Sequence, residues 1–282
     1  MDESAVHDRE FSFSNSDFET IRKFVHKETG ITLSDAKKNM VYSRLSRRLR
    51  QLNITSFQNY IDIAAANDSD ERGNFINAIT TNLTSFFREE HHFEFLKSEV
   101  IPALLKRNAS TRKIRIWSAG CSTGEEPYSL AIALHEAIPR IDNWDIKILA
   151  TDLDTNVLAH GSAGVYDIER IEGLSIERKR NWFMKGKGEH SGSVRVDPRL
   201  RELITFKQLN LMEGWPMKGP FDFMFCRNVV IYFDKPTQRV LFERYWNLLA
   251  PDAHLFLGHS ETLYKVSDQF QLIGNTIYHR KD

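Results

Sequence analysis

The chain has 282 residues, of which 41% are hydrophobic, and this is enough apolar side chain for one large or two ordinary domains with real cores. Its 38 lysines and arginines balance its 38 aspartates and glutamates, so no global field draws it to nucleic acid or to an anionic membrane. The apolar runs are far shorter than a bilayer span, and the start Met1–Ser4 is acidic, unlike a signal peptide. Two cysteines are too few for a disulfide framework or a cysteine zinc site. We therefore expect a cytoplasmic protein that does not insert into a membrane.

Residues 11 to 80 predict an all-helical region. The first helix has a capping box at Ser16-Asp17-Phe18-Glu19 and ends at Gly30. The second helix runs from an N-cap at Ser34 to about Leu52, because its apolar side chains repeat on one face. Two further helices are indicated by two apolar groups, namely Phe57, Tyr60 and Ile61, and then Phe75, Ile76 and Ile79.

The run Thr80–Glu89 alternates polar side chains with bulky apolar ones. It lies between the helical region and a region in which the apolar residues repeat with a different period. We therefore expect this run to carry part of a functional site at a junction between two domains.

From about residue 113 the pattern changes to strands that alternate with helices. Strand-like runs cover 113–118, 145–150, 221–226 and 253–258, helical runs cover 126–137 and 237–249, and a hairpin arm covers 270–279. This alternation predicts a mostly parallel sheet with helices on both faces, in which ligands bind beyond the carboxyl ends of the strands.

A glycine-containing turn, Ser118–Tyr128, follows the first strand and opens a helix. The adjacent carboxylates of Glu125 and Glu126 would repel a phosphate there, so the turn favours a ligand with a cationic end. Asp152 follows the second strand, where the doubly wound fold places the carboxylate that grips a ribose diol. S-adenosylmethionine has both features, whereas a nicotinamide cofactor would need the missing GxGxxG motif. The alternative is structural, since glycine turns are common and glutamates favour a helix N-terminus through its dipole.

Three long motifs follow one another along the chain: Thr80–Arg88, Ser122–Ser129 and Phe225–Phe233. In this order they resemble the motifs of the chemotaxis receptor methyltransferase family, CheR, and the similarity extends from about residue 11 to 280. The resemblance implies methyl esterification of glutamate side chains on the cytoplasmic helices of bacterial chemoreceptors. The methyl donor would be S-adenosylmethionine, the product S-adenosylhomocysteine, and no metal would take part.

The resemblance also implies a fold and its division. A helical N-terminal domain with its linker would cover 11–88 and recognise the receptor. A Rossmann-like methyltransferase domain with an antiparallel last strand would cover 89–282. A small antiparallel β-subdomain would be inserted at 183–207, where runs such as 193–196 and 204–207 look like short strands joined by glycine turns.

The site residues follow from the same resemblance. Asn82, Thr84 and Arg88 would line the cofactor pocket, Glu126 would contact the cofactor, and Asp152 would take the ribose hydroxyls. The remaining contacts would come from Asn210 and Leu211 at the adenine, and from Arg227 and Asn228 at the methionine portion and the methyl group. Arg88 and Tyr232 would be the catalytic pair, because Arg88 can hold the substrate carboxylate and Tyr232 can orient either partner. A glutamate is already an anion at neutral pH, so the transfer needs no general base.

Two features predict contacts with a receptor. Four basic residues of the second helix fall on one face, namely Lys37, Arg44, Arg47 and Arg48. With the family resemblance, this stripe favours docking on acidic receptor helices, although a solvated helix face is the alternative and nucleic acid is disfavoured by the neutral net charge. The β-subdomain could add a receptor's C-terminal tail peptide as an extra strand, or it could only cover a sheet edge.

We therefore expect the protein to be an enzyme that acts as a monomer. A competing class is a non-catalytic module that uses the same fold to sense S-adenosylmethionine or to scaffold a signalling complex.

Overall fold

The computed structural model describes residues 9–66 and 70–282, and the chain forms two compact units. The helical unit contains the described residues up to Thr81 together with Tyr232–Asp234. The sheet unit contains Asn82–Ile231 and Lys235–Asp282. The helical unit therefore ends at Thr81, apart from Tyr232–Asp234, whereas the predicted helical domain with its linker extended to Arg88.

The helical unit has four α-helices in its described residues: α1 Asn15–Thr29, α2 Lys38–Leu52, α3 Phe57–Ala65 and α4 Glu71–Ile79. Gly30 ends α1 at φ 72°, and Asn53 ends α2 at φ 55°, both in the left-handed region that favours these residue types at a helix end. A 3₁₀ turn, Asp35–Lys37, precedes α2. The all-helical character that the sequence predicted is confirmed.

The capping box of α1 lies two residues earlier than predicted. Ser14 is the N-cap, its hydroxyl accepts a hydrogen bond from the Asp17 amide (3.0 Å), and the Asp17 carboxylate accepts one from the Ser14 amide (2.7 Å). The prediction of a box at Ser16 and Glu19 was wrong because Asp17 takes the place three residues after the N-cap that glutamate usually fills, and its carboxylate reaches the Ser14 amide. The apolar face was read correctly, since Phe18, Ile21 and Val25 are all buried.

The sheet unit has ten strands in its described residues: β1 Lys113–Ala119, β2 Asp145–Asp152, β3 Val165–Asp167, β4 Phe183–Lys185, β5 Ser193–Val196, β6 Ile204–Gln208, β7 Phe221–Cys226, β8 Leu249–Leu257, β9 Phe270–Gly274 and β10 Ile277–Arg280. Seven form one sheet in the order β6-β2-β1-β7-β8-β10-β9. The first five are parallel neighbours, and β10 runs antiparallel to both β8 and β9. This confirms a mostly parallel sheet with an antiparallel last strand.

The helices of the sheet unit are α5 Glu90–Phe95, α6 Ile101–Arg107, α7 Glu125–Ala137, α8 Thr155–Ala163, α9 Ile176–Trp182, α10 Pro198–Arg201 and α11 Lys235–Leu248. A π-helical turn, Leu96–Val100, joins α5 to α6. The helix α7 follows β1 and α8 follows β2, so both begin at the carboxyl edge of the sheet. That edge is where the polar clusters of the sequence come together.

The small antiparallel sheet has the order β3-β5-β4, and this corrects the predicted subdomain at 183–207. Ile204–Gln208 is strand β6 of the large sheet, where it pairs in parallel with β2. Val165–Asp167, which the sequence reading did not assign, supplies the third strand of the small sheet. Alternation of apolar and polar residues reveals a strand but not its partner, and that ambiguity explains the error.

Candidate cofactor and active site

The turn between β1 and α7 is built around two glycines in the left-handed region. Gly120 has φ 79° and Gly124 has φ 97°. A Cβ atom on Gly120 would lie 2.2 Å from Val229 Cγ2, so only glycine lets this turn approach the segment after β7. The carboxyl ends of β1 and β7 are thereby packed together at the candidate site.

Four polar residues beyond β1 and β2 form one hydrogen-bonded cluster. The Ser122 amide donates to Asp152 Oδ2 (2.8 Å), and its hydroxyl donates to the carbonyl oxygen of Asn82 (2.9 Å). Asn82 Nδ2 donates to Asp154 Oδ2 (2.8 Å), and the Asp154 amide donates to Asp152 Oδ1 (3.0 Å). Burial raises the pKa of Asp152, against the effect of these backbone donors. The structure thus brings Asn82 and Asp152 together, as the sequence had suggested.

The two glutamates at the start of α7 are both paired within the protein. Glu125 is fully buried, and its carboxylate contacts the Arg170 guanidinium and the Thr123 hydroxyl (2.6 Å). Glu126 accepts hydrogen bonds from the Ser118 hydroxyl (2.7 Å) and from Arg227 Nε (2.7 Å). Neither carboxylate needs a ligand cation for its partner, so their presence does not by itself indicate a cationic ligand.

The charge balance of the whole cluster does favour a cationic ligand. The segments that meet here, together with Arg170, carry five carboxylates and three guanidinium groups: Asp152, Asp154, Glu89, Glu125 and Glu126 against Arg88, Arg170 and Arg227. The excess of carboxylates gives the surroundings a negative potential, which suits a sulfonium and an ammonium group. The residues present therefore fit S-adenosylmethionine.

Arg227 is buried among protein partners. Besides Glu126, its guanidinium contacts Glu89 Oε2 (3.3 Å) and donates to the carbonyl oxygen of Arg88. It also lies near the ring of Phe225, at 5.4 Å from the centroid. A buried guanidinium requires such partners, and here two carboxylates of the protein supply them.

Arg88 differs from Arg170 and Arg227. It is half-buried, and it donates to the carbonyl oxygen of Leu83 (2.9 Å). Among the residues that the structure describes, no carboxylate lies within ion-pair distance of Arg88, whereas Arg170 and Arg227 each have at least one. The neighbouring Thr84 contributes its carbonyl oxygen to Arg170 (2.9 Å).

Glu89 is a site residue that the sequence reading did not single out. It adopts φ 58°, and its Oε1 accepts hydrogen bonds from the His259 amide (2.9 Å) and from His259 Nδ1 (2.7 Å). Burial alone would raise the pKa of Glu89, but the bonds from His259 and the charge of Arg227 lower it. The available signal in the sequence was its place as the last residue of the run Thr80–Glu89, directly after Arg88.

The loop after β6 carries the two residues assigned to the adenine. Asn210 Oδ1 accepts a hydrogen bond from the Met212 amide (3.0 Å), and the Leu211 carbonyl oxygen accepts one from Arg244 (2.7 Å). The Arg244 guanidinium stacks on Trp215, 3.7 Å from the ring centroid. Arg244 therefore fixes this loop, and nothing in the sequence around it marked it for that task.

The segment after β7 carries Asn228 and Tyr232. Asn228 lies in the left-handed region at φ 59°. Tyr232 closes a 3₁₀ turn, belongs to the helical unit, and accepts a hydrogen bond from the Thr32 amide at its carbonyl oxygen (2.8 Å).

The predicted basic stripe on α2 divides into two pairs. Arg48 is bound by both carboxylate oxygens of Glu71 (2.5 Å each), and Arg44 donates to the carbonyl oxygen of Ile79 (2.9 Å). Lys37 and Arg47 are exposed. Two of the four cations thus serve the helical unit itself, which the sequence could not show.

Within residues 9–66 and 70–282, no group of three or more histidine, cysteine, aspartate or glutamate side chains is placed to hold a metal ion. In the same part of the chain, no helix combines the length and the apolar character needed to cross a bilayer.

Comparisons with known proteins agree with this architecture. Residues 16–80 match the family model "CheR methyltransferase, all-alpha domain", and residues 82–279 match "CheR methyltransferase, SAM binding domain". The chemotaxis protein methyltransferase 2 of Pseudomonas aeruginosa is 45% identical over 96% of this chain and 95% of its own length. A probable chemotaxis protein methyltransferase of Rhizobium etli is 43% identical over 90% of this chain and 96% of its own. The chemotaxis protein methyltransferase of Escherichia coli is 42% identical over 95% and 91%.

Proposed function

The chain belongs to the CheR methyltransferase family, and from this premise we propose that it esterifies glutamate side chains on the cytoplasmic helices of chemoreceptors. It is an S-adenosylmethionine-dependent methyltransferase of chemotaxis, and the family match does not favour a non-catalytic sensor. The acceptor, the receptor surface, the cytoplasmic location and the roles of single residues are parts of the proposal.

One observation carries the choice of a carboxylate acceptor. Arg88 is the guanidinium of the cluster without a carboxylate partner in the described residues, while Arg170 and Arg227 are already paired. A half-buried guanidinium in this situation can form a charge-assisted hydrogen bond with an incoming carboxylate. A glutamate side chain presents such a group without any proton transfer, because its ordinary pKa is about 4.3.

The cofactor would be held by the residues around Asp152. Asp152 would accept hydrogen bonds from ribose hydroxyls, since its position at the end of β2 is that of the ribose-binding carboxylate of doubly wound folds. Asn82 and Thr84 would line the pocket on the side of the first motif. Asn210 and Leu211 would frame the adenine, and Asn228 would face the methionine portion.

S-adenosylmethionine, when bound, supplies a methyl group on a positively charged sulfur, and transfer to a carboxylate oxygen leaves S-adenosylhomocysteine. The protein's task is to align the acceptor and to exclude water, because water solvates both charged reactants and opposes their reaction. Arg88 would hold the acceptor carboxylate by one edge. A tight bidentate clamp would reduce the nucleophilicity of the carboxylate, so Arg88 positions the acceptor and does not activate it.

Receptor recognition would use two surfaces. The exposed cations Lys37, in the 3₁₀ turn before α2, and Arg47, on α2, would face acidic receptor helices, whereas Arg44 and Arg48 are bound within the helical unit. The small sheet has β3 and β4 at its edges, and a receptor's tail peptide would pair with one of them.

A methyl-transfer assay tests the proposal. The protein is incubated with S-adenosylmethionine labelled in the methyl group and with a cytoplasmic receptor fragment. We expect label in the fragment that alkali releases as methanol, because esters hydrolyse under these conditions, and we expect much less label in a fragment whose methylation glutamates are replaced by alanine. Binding of S-adenosylhomocysteine without any transfer would favour the non-catalytic alternative instead.

A further inference from the structure

Glu261 is a buried carboxylate that binds backbone amides of two separate segments. Its Oε2 accepts hydrogen bonds from the amides of Asn228 (2.8 Å) and Gly258 (2.6 Å). Its Oε1 accepts them from the amides of Val229 (2.9 Å) and Ile231 (3.3 Å). The residue is 4% exposed. Four donors therefore converge on one carboxylate group.

The electrostatics of this arrangement are unusual for a buried acid. Within the described residues no lysine, arginine or histidine lies within ion-pair distance of Glu261, in contrast to Glu89 and Glu126. Burial raises the pKa of Glu261, and the four amide donors oppose that effect. Only backbone N–H groups stabilise the negative charge of the Glu261 carboxylate. We therefore infer that Glu261 serves to hold these backbone segments and not to neutralise a charged side chain.

The backbone that Glu261 binds is the segment assigned to the cofactor. Asn228 adopts the left-handed conformation at φ 59°, which a residue other than glycine keeps only when its surroundings impose it. The Asn228 amide group lies so close to Gly258 that a Cβ atom there would come within 2.4 Å of Nδ2. Val229, the next residue, packs on Gly120 of the turn after β1. One carboxylate thus ties the ends of β7 and β8 together beside the turn that follows β1.

We propose that Glu261 is a positioning residue for the methyl-donor site, which fixes the conformation of Asn228 and Val229 before the cofactor binds. The inference rests on the proposed function, because it takes Asn228 to face the methionine portion. A loop held in its binding conformation keeps the apparent affinity high, since a ligand loses affinity in proportion to the fraction of molecules whose loop has left that conformation.

The first test needs no variant and no ligand. We expect the amides of Asn228, Val229 and Gly258 to exchange slowly with deuterium in the wild-type protein without ligand. Rapid exchange of these three amides, at the rate of the exposed loops, would show that the segment is not preformed and would overturn the proposal.

The second test is the substitution Glu261→Gln. It keeps the shape of the side chain but replaces one carboxylate oxygen with an amide donor, so two of the four backbone N–H groups lose their acceptor. We expect S-adenosylhomocysteine to bind about tenfold more weakly by calorimetry, if the loop then leaves its conformation in about nine of ten molecules. An unchanged affinity would overturn the positioning role.

Glu136→Gln is the matched control. It removes the negative charge that pairs with Arg178 and Lys97 and one of the two oxygens that accept hydrogen bonds from Arg178 (2.8 and 2.9 Å), in the same unit but outside the cofactor cluster. A loss of stability alone should lower the melting temperature of this variant and leave its affinity for S-adenosylhomocysteine unchanged. An equal loss of affinity in both variants would count against Glu261 as a specific residue. Failure of the wild-type protein to methylate receptor fragments would instead refute the proposed function. The deuterium-exchange result would still decide whether the segment after β7 is held in place, because that measurement does not depend on methylation.

Discussion

Removing the guanidinium of Arg227 should destabilise the sheet unit strongly. The side chain of Arg227 is 3% exposed, and its partners Glu126 and Glu89 are 8% and 9% exposed. Arg227→Met keeps the unbranched stem beside Phe225 but leaves both carboxylates without this cation. Removing one partner of a buried pair costs about 3–5 kcal/mol, because the remaining charge stays buried without compensation.

The structure places the expected loss toward the lower end of that range, at about 3 kcal/mol. Glu89 keeps two hydrogen bonds from His259, and Glu126 keeps the one from Ser118. The double variant Arg227→Met/Glu126→Gln no longer buries an unpaired charge at position 126, so it should recover about 1–3 kcal/mol of the loss.

Denaturant unfolding followed by tryptophan fluorescence measures these values selectively. All five tryptophans lie in the sheet unit, so the signal reports that unit and not the helical one. A loss below about 1 kcal/mol for Arg227→Met would refute the reasoning, because such a value is typical of exposed ion pairs. So would a double variant less stable than the single one.

Three further outcomes can be measured. Arg88→Ala should lower the turnover of receptor methylation by about 10–100-fold, because one charge-assisted hydrogen bond to the acceptor is lost. The affinity for S-adenosylhomocysteine should stay nearly unchanged, and unchanged turnover would contradict the role of Arg88. Arg47→Glu should raise the KM for a receptor fragment and weaken its salt dependence, whereas Lys106→Glu, an exposed reversal in the other unit, should not. Burial would raise the pKa of Glu71, but the hydrogen bonds from Arg48 lower this pKa below its ordinary value. The ionised Glu71 therefore stabilises the helical unit above about pH 4.5, and this stabilisation is lost as the pH falls through the lowered pKa. Circular dichroism during acid titration should show this loss in the wild type and a flatter profile in Glu71→Gln, and identical profiles would contradict the assignment.

The elements that the sequence predicted well are those whose signal is local. The buried strand Phe221–Cys226 was predicted with the bounds that the structure shows, because a short, mostly apolar run between Pro220 and Arg227 is typical of a strand in the middle of a sheet. The α2 helix, predicted from its apolar stripe, ends at Leu52 as expected, but a 3₁₀ turn follows the predicted N-cap Ser34 and the α-helix begins only at Lys38. The placement of Ile204–Gln208 was wrong because strand pairing depends on residues far away in the chain, here on β2.

The candidate site was predictable to the extent that motifs mark it. Asn82 lies in the first motif, Asp152 was predicted from its place after the second strand, and the structure connects them through Ser122. Glu261 and Arg244 lie outside the motifs, and each acts by binding backbone atoms of a loop that is distant in sequence. Contacts of this kind leave no pattern in the sequence, because a single glutamate or arginine in a polar segment is ordinary composition.

The reason for expecting a cationic ligand changed between sequence and structure, although the expected ligand did not. Adjacent glutamates at a helix N-terminus suggested a negative site, yet Glu125 and Glu126 are each paired with an arginine. Arg170 neutralises Glu125, but Glu126 and Glu89 share Arg227, so the cluster still has more carboxylates than guanidinium groups after these pairs have formed. Since Arg88 would be neutralised by the acceptor carboxylate, this excess of carboxylates over guanidinium groups would attract the sulfonium and ammonium groups of the methyl donor.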